Sequence, residues 1–215
     1  MTNQKSIAPM LIFLIVLSVG GYWLYKVGLS GVNMKSVQAA LAQPASAAVV
    51  PHQGDTAFAV QGSPSVSASF INKVLCAPVP TDTPAVSPAC GTGQAMFDLG
   101  VKAGIDPVYA LAFFWHESTF GRYGVAASNL GMGNIICTPG YQCKQGFRAY
   151  GSWEEGYADW YKLITAYIHG QIAGCPCTTV PQIVPIYAPP SENDTQGYIH
   201  KITQMVTTWR GQVQA

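Results

Sequence analysis

One carboxylate stands apart among the few that this sequence carries. Glu117 follows a run of bulky aromatic residues in the stretch FFWHESTFGRYG, residues 113–124, and the whole chain has only ten Asp and Glu residues. Burial beside apolar side chains disfavours the ionised carboxylate, and the partial negative charge at the C-terminal end of a helix also raises the pKa. A carboxyl whose pKa is raised toward neutrality can serve as a general acid. Glu117 is therefore a candidate to protonate the leaving oxygen of a glycosidic bond.

Most other carboxylates have a plain structural explanation. Asp159 is expected to face water or Lys162. For Glu117 itself, the competing interpretation is a buried carboxylate that is paired with Arg122 or His116. Capping or first-turn positions in helices account for a further group, namely Asp106, Glu154, Glu155, Glu192 and Asp194.

The motif search and the charge balance exclude several functional classes. The sequence has no phosphate-binding loop, no nucleophile elbow and no His–carboxylate metal motif, so we expect no cofactor and no metal site. Charged residues make up 10% of the chain and the net charge is +1, so no basic surface is available to bind nucleic acid.

The elements that must position Glu117 are mainly helical. Asp106 is a good N-cap and Pro107 suits the first helical position, so a helix begins there and leads to Glu117. Its sequence VYALAFFWHEST is mostly apolar, which predicts burial on most sides. Further helices are predicted in SFINKVL, GTGQAMFDLGVKAGID, SWEEGYADWYKLITAYIHG and DTQGYIHKITQMVTTWR. The Gly- and Asn-rich residues 128–151 predict a small β lobe, and TTVPQIVPIYAPPSEN predicts an extended, Pro-broken connector.

Six cysteines predict a disulfide framework. Their spacing fits no common zinc site, and an even number behind an export segment is typical of disulfides. Local pairing is the simplest arrangement: Cys76–Cys90, Cys137–Cys143 and Cys175–Cys177.

The chain divides into three parts. Residues 6–25 carry no charge, are long enough to cross a bilayer core as a helix, and end in a cluster of aromatic residues. We therefore predict a transmembrane anchor over 1–26, with a cleaved signal peptide as the alternative. Residues 27–67 have the composition of a flexible linker, and residues 68–215 form the predicted domain, which the cysteines place outside the cytoplasm.

Four sequence blocks together resemble a known family. These are GIDPVYALAFFWHESTFG, SNLGMGNI, GFRAYGSWEEGYADWYKLI and IYAPPSENDTQGYI, and their order resembles bacterial peptidoglycan N-acetylglucosaminidases of the lysozyme-like superfamily. The resemblance implies a lysozyme-like, mainly α fold of about five helices around the buried catalytic helix with a small β lobe. It also implies a monomer that acts on peptidoglycan glycan strands without a cofactor.

The resemblance also implies roles for individual residues. Glu117 matches the catalytic acid, and Tyr150 matches an aromatic residue that helps to position substrate or water. Asn129, Asn134 and Tyr187 match positions that face the sugar, although turn formation or core packing would also explain them.

The resemblance leaves the reaction itself open. No second carboxylate lies between Glu117 and Glu154, whereas most glycosidases use two. Hydrolysis could use the substrate N-acetyl group, or Glu192 or Asp194. The alternatives are a lytic transglycosylase with Glu117 as its only acid and base, or an inactive cell-wall-binding module.

Overall fold

The computed structural model describes residues 57–82 and 84–214, and within these residues the fold is mainly helical with one small sheet. The elements are α1 (Ala68–Cys76), α2 (Gly93–Ala103), α3 (Pro107–Ser118), α4 (Ala126–Asn129), β1 (Cys143–Lys144), β2 (Phe147–Arg148), α5 (Trp153–Ile168), α6 (Val180–Tyr187) and α7 (Thr195–Gln214). This confirms the predicted mainly α class. The predicted anchor over 1–26 lies outside the described residues, among which no helix has the length and apolar character to span a bilayer.

Helix α3 runs through the centre of the domain. Its residues from Pro107 to Phe114 are all buried, and Phe113 and Phe114 pack against Trp160 of α5 with ring centroids 5.3 and 5.2 Å apart. Phe113 also contacts Tyr187 of α6 and Tyr198 of α7, at 5.4 and 5.7 Å. Three helices therefore surround the aromatic turn of α3 that precedes Glu117, as the apolar sequence of this helix predicted.

The start of α3 is fixed by one buried carboxylate. Asp106 is the N-cap, with its Oδ1 accepting from the backbone N–H of Val108 at 3.2 Å and from that of Ser65 at 3.0 Å. Its Oδ2 accepts from Arg210 of α7 at 2.9 Å. The predicted cap is confirmed, and the same side chain joins the N-terminal segment and α7 to the helix that carries Glu117.

Replacing Asp106 by Ala should lower the free energy of unfolding by about 2 kcal/mol, because the helix loses its cap and Arg210 loses its partner. Urea denaturation measures this effect. The matched control is Asp98→Ala, which removes an exposed carboxylate bonded only to Gln94 and should change stability by less than about 0.5 kcal/mol. Equal losses in the two variants would contradict a capping role.

Residues 57–67, which the sequence assigned to the linker, pack against the helices. Val60 and Val66 are buried, and isolated β-bridges join Ala59 to Thr179 and Gln61 to Ile105. The packed region therefore begins N-terminal to residue 68.

The predicted extended connector is wrong, because residues 180–187 form helix α6. At its start the Gln182 side chain accepts from the Thr179 backbone N–H at 3.2 Å, as in a capping box, and Ile183 and Val184 are fully buried. Pro185 removes one internal hydrogen bond, but a helix of two turns has few to lose and the buried face compensates. The density of prolines in this segment obscured its apolar periodicity.

The predicted β lobe is a short hairpin. Strands β1 and β2 pair antiparallel, with Cys143 opposite Arg148, and Gln145 and Gly146 at the turn both have positive φ. This is the backbone of a two-residue hairpin turn. All six cysteines pair as predicted, and the Cys137–Cys143 disulfide lies beside this hairpin.

Candidate active site

The Glu117 carboxyl receives a donor on each of its two oxygens. The Tyr198 hydroxyl donates to Oε1 at 2.6 Å, and the Asn134 amide donates to Oε2 at 3.1 Å and to the Glu117 backbone oxygen at 3.0 Å. Tyr198 lies in α7 and Asn134 lies in the loop after α4, so two distant parts of the chain meet at this carboxyl. Glu117 as a whole residue is of intermediate exposure.

The surroundings of Glu117 change its acidity. Burial among aromatic residues raises the pKa of the carboxyl from 4.5 to about 7, although the hydrogen bonds from Tyr198 and Asn134 act in the opposite direction. Desolvation therefore outweighs two donors. A carboxyl that is half protonated near neutral pH has the acidity that general-acid chemistry requires.

Three successive residues of the loop Gly131–Asn134 are tied to the core. The Ser118 hydroxyl donates to the Met132 oxygen at 3.1 Å, the Tyr187 hydroxyl donates to the Gly133 oxygen, and Asn134 binds Glu117. Glu117 and Ser118, the last two residues of α3, thus both link this helix to the loop.

Close packing also requires glycines in this loop. A Cβ on Gly133 would lie 2.6 Å from the Trp160 ring, and one on Gly131 would lie 2.8 Å from the Tyr150 ring. Asn134 has a φ of 45°, a left-handed conformation that Asn adopts more readily than most residues. Asn134 therefore serves the turn and the carboxyl together.

The other residues that the resemblance implied have different surroundings. The Asn129 side chain is buried and bonded to the backbone of Gly131 and Arg148, at 2.9 Å each, which is a turn-stabilising arrangement. Tyr187 contributes its hydroxyl to the Gly131–Asn134 loop. Asn134 is thus the implied residue that the structure brings to Glu117, and the sugar-binding roles of Asn129, Asn134 and Tyr187 stay predictions.

Tyr150 is oriented by an acid that the sequence analysis assigned to solvent. Its hydroxyl donates to Asp159 at 2.8 Å, and Arg148 forms an ion pair with the same oxygen at 2.8 Å. The expectation that Asp159 faces water or Lys162 is therefore wrong, because the β hairpin folds over α5 and places Arg148 beside it. Tyr150 also lines an open depression of about 340 Å³ with Gln142, Ala149, Gly151 and Glu155.

Tyr198 is a residue of this site that was not predicted from the sequence. Its side chain is 5% exposed and forms the shortest contact to Glu117, from a position 81 residues further along the chain. One signal could have found it: Tyr198 precedes Ile202 by four residues and so extends the apolar face of the last helix by one turn.

Neither proposed ion-pair partner of Glu117 is bonded to it among the described residues. Arg122 donates to the backbone oxygens of Ala77, Ala85 and Thr119 at 2.9 to 3.3 Å. His116 packs its ring on Tyr198, with centroids 3.9 Å apart, and burial lowers its pKa to about 4. His116 is therefore neutral near pH 7. Neither Arg122 nor His116 forms the ion pair with Glu117 that the competing interpretation requires.

Within residues 57–82 and 84–214, no group of three or more His, Cys, Asp and Glu side chains could hold a metal ion. The side chains bonded to the Glu117 carboxyl are the neutral Tyr198 and Asn134.

Comparison with known proteins gives little further guidance. No protein-family model matches the sequence, and no curated protein does. Among solved structures, the catalytic domain of the autolysin Auto from Listeria monocytogenes is similar over 84% of this chain and 96% of that chain, with 17% identity and a TM-score of 0.39. Similarity at this level is too weak to establish a shared activity.

Proposed function

We propose that this chain is a glycoside hydrolase that cleaves β-1,4 bonds of peptidoglycan after N-acetylglucosamine, with Glu117 as the general acid. The observation that carries the proposal is the carboxyl of Glu117 at the end of α3, whose pKa burial raises to about 7 and whose neighbours Tyr198 and Asn134 are both neutral. The sequence resemblance to peptidoglycan glucosaminidases supplies the substrate class.

Protonated Glu117 would transfer its proton to the scissile glycosidic oxygen as the bond to the anomeric carbon breaks. The sugar that remains develops oxocarbenium character, and the leaving sugar departs with a neutral hydroxyl. Asn134 keeps the resulting carboxylate in place through its amide. Tyr150, beside the open depression, is proposed to contact a sugar ring.

Among the described residues, no second carboxylate is hydrogen-bonded to Glu117 or to its donors Tyr198 and Asn134. Asp82, Asp106 and Asp159 lie in ion pairs with arginines, at 3.8, 2.9 and 2.8 Å. Asp194 accepts from the backbone of Gly197, and Glu192 is exposed. This favours a mechanism in which the oxygen of the substrate N-acetyl group bonds to the anomeric carbon as the glycosidic bond breaks. Water would then add to the anomeric carbon, break that bond and return a proton to Glu117.

The same observation favours lytic transglycosylation as a second candidate function. There the Glu117 carboxylate, formed by donation of its proton, would remove a proton from a hydroxyl of the same substrate. That hydroxyl oxygen would bond to the anomeric carbon, which closes an anhydro ring and restores the acid without water.

Digestion of purified peptidoglycan by the full chain, followed by mass spectrometry of the soluble fragments, tests the proposal. New reducing ends at N-acetylglucosamine are the expected result. Anhydro-muramyl ends would instead show that the reaction is lytic transglycosylation and not hydrolysis. Binding to peptidoglycan without release of fragments would overturn the enzymatic function and leave a cell-wall-binding module.

We further propose that residues 1–26 hold the protein in the membrane as a monomer, with the domain outside the cytoplasm and within reach of the cell wall. Fractionation of cells tests this placement: the chain should remain with the membrane after a salt wash and be released by detergent, and protease added outside should degrade the domain.

The rate of glycan cleavage should fall above about pH 7, because only protonated Glu117 can donate and burial raises the pKa of this carboxyl to about 7. Initial rates of fragment release as a function of pH measure this limb, and circular dichroism over the same range controls for unfolding. An alkaline limb close to the ordinary carboxyl pKa of 4.5 would contradict a raised pKa at Glu117.

A further inference from the structure

We propose that Tyr198 is the positioning residue of Glu117: its phenol donates to Oε1 and so fixes the orientation of the carboxyl. An effect of Tyr198 on catalysis rests on the proposed function, whereas the hydrogen bond itself can be tested by titration of Glu117. The contact joins α7 to the end of α3 and so makes the C-terminal helix part of the site.

The two oxygens of the carboxyl accept from donors of different kinds. The Tyr198 hydroxyl lies 2.6 Å from Oε1, whereas the Asn134 amide lies 3.1 Å from Oε2 and is shared with the Glu117 backbone oxygen. The difference in length follows from the donors, because hydroxyl donors form shorter hydrogen bonds than amide donors do. With a donor on each oxygen, the plane of the carboxyl is fixed, and the Tyr198 phenol is the closer of the two donors.

The Tyr198 ring is held in place beside Glu117 by its neighbours. Its ring is buried between His116, with centroids 3.9 Å apart, and Phe113, at 5.7 Å. Burial and the neighbouring Glu117 raise the pKa of the phenol well above its usual value. The hydroxyl therefore keeps its proton throughout the pH range in which Glu117 titrates, and it cannot replace the missing second base.

The groups that face Glu117 keep one charge state near neutrality. Tyr187 of α6 stays protonated, since burial raises its pKa well above the usual value. His116 on α3 stays neutral, since burial and the nearby Lys201 of α7 lower its pKa to about 4. A proton lost near pH 7 in this cluster is therefore the proton of Glu117.

Nuclear magnetic resonance of the full chain, labelled with 13C at the glutamate side-chain carboxyl, reads this titration directly. The chain has four glutamates, at positions 117, 154, 155 and 192, and the signal that disappears in Glu117→Gln belongs to Glu117. Tyr198→Phe keeps the ring and removes the donor that stabilises the carboxylate. The pKa of Glu117 should therefore rise by about one unit or more, and the alkaline limb of activity should move up with it.

Tyr157→Phe is the matched control. It removes a buried phenol of α5 whose hydroxyl contacts Thr92, at 2.8 Å, and it should leave the titration of Glu117 unchanged. If Tyr198→Phe does not fold, 3-fluorotyrosine at position 198 keeps the phenol as a stronger donor and should lower the pKa of Glu117 instead.

An unchanged or lowered pKa of Glu117 in Tyr198→Phe, or an unchanged or raised pKa with 3-fluorotyrosine, would overturn the positioning role. This result is distinct from failure of the proposed function. If wild type releases no glycan fragments while the carboxyl titration shifts as expected, the positioning of Glu117 stands and the glycosidase assignment falls.

Discussion

Replacing Glu117 by Gln is expected to lower the rate of glycan cleavage by about 10²–10⁴-fold, the contribution typical of a positioned general acid. The glutamine side chain has nearly the same shape and would still accept from Tyr198, but it has no proton of suitable acidity to transfer. A zymogram on peptidoglycan, together with initial rates of fragment release, measures the loss. Digestion by the variant at the wild-type rate would rule out the acid role of Glu117.

The same substitution should change stability in a pH-dependent way. The unfolded chain releases the Glu117 proton near pH 4.5, whereas the folded site retains it until about pH 7, so wild-type stability falls across this interval. Glu117→Gln has no carboxyl at this position, so its stability lacks this pH dependence. The difference in unfolding free energy should therefore move in favour of the variant by up to about 3 kcal/mol as pH rises from 4.5 to 7, and by less to the extent that water reaches the carboxyl.

Urea denaturation of wild type and Glu117→Gln at several pH values measures this trend. Glu154→Gln is the matched control, since it removes a carboxylate on the exposed side of α5. Parallel stability curves for wild type and Glu117→Gln would show that the carboxyl has an ordinary pKa in the folded protein, and a carboxyl of that kind would not act as the proton donor near neutrality.

The second large effect concerns Arg122, whose side chain is fully buried. Its guanidinium donates hydrogen bonds to the backbone oxygens of Ala77, Ala85 and Thr119. Its Nε also lies 3.8 Å from Oδ2 of Asp82. It thereby ties the loop closed by the Cys76–Cys90 disulfide to the C-terminal end of α3. Arg122→Met leaves three partly buried carbonyl groups without donors and a carboxylate without its partner, at a cost of about 3–5 kcal/mol.

Thermal unfolding should show this loss as a decrease in Tm of roughly 10 °C or more for a domain of this size. Arg122→Lys retains the charge but not the forked geometry, and it should recover only part of the stability. Lys102→Met, on an exposed position of α2, is the control for removing one positive charge and should shift Tm by only a degree or two. A similar small shift for Arg122→Met would contradict the anchoring role.

The parts of this protein that could be predicted from sequence are those whose signals are local. Asp106 and Pro107 mark the start of α3 within two residues, and the aromatic run before Glu117 indicates burial of the carboxyl without any knowledge of its partners. Ser152 is similar: a serine three residues before a glutamate is a local capping signal, and its hydroxyl accepts from the backbone N–H of Glu155. Capping and apolar periodicity act within one or two turns, so no tertiary information is needed.

What escaped prediction depends on residues that are far apart in the chain. Tyr198 meets Glu117 only because α7 packs against α3, and Arg148 meets Asp159 only because the hairpin folds over α5. Neither contact leaves a local pattern. Helix α6 was missed for the opposite reason, since Pro181 and Pro185 are strong local signals that the buried face of the helix overrides.

The β-bridges of residues 59 and 61 have a practical consequence for anyone who shortens this chain. A truncation that starts at residue 68 would remove Val60 and Val66 from the interior, together with the Ser65 amide that donates to Asp106. Loss of catalysis in such a fragment would then reflect a damaged scaffold around α3 rather than a missing reactive group. Recombinant versions should retain the residues from 57 onward.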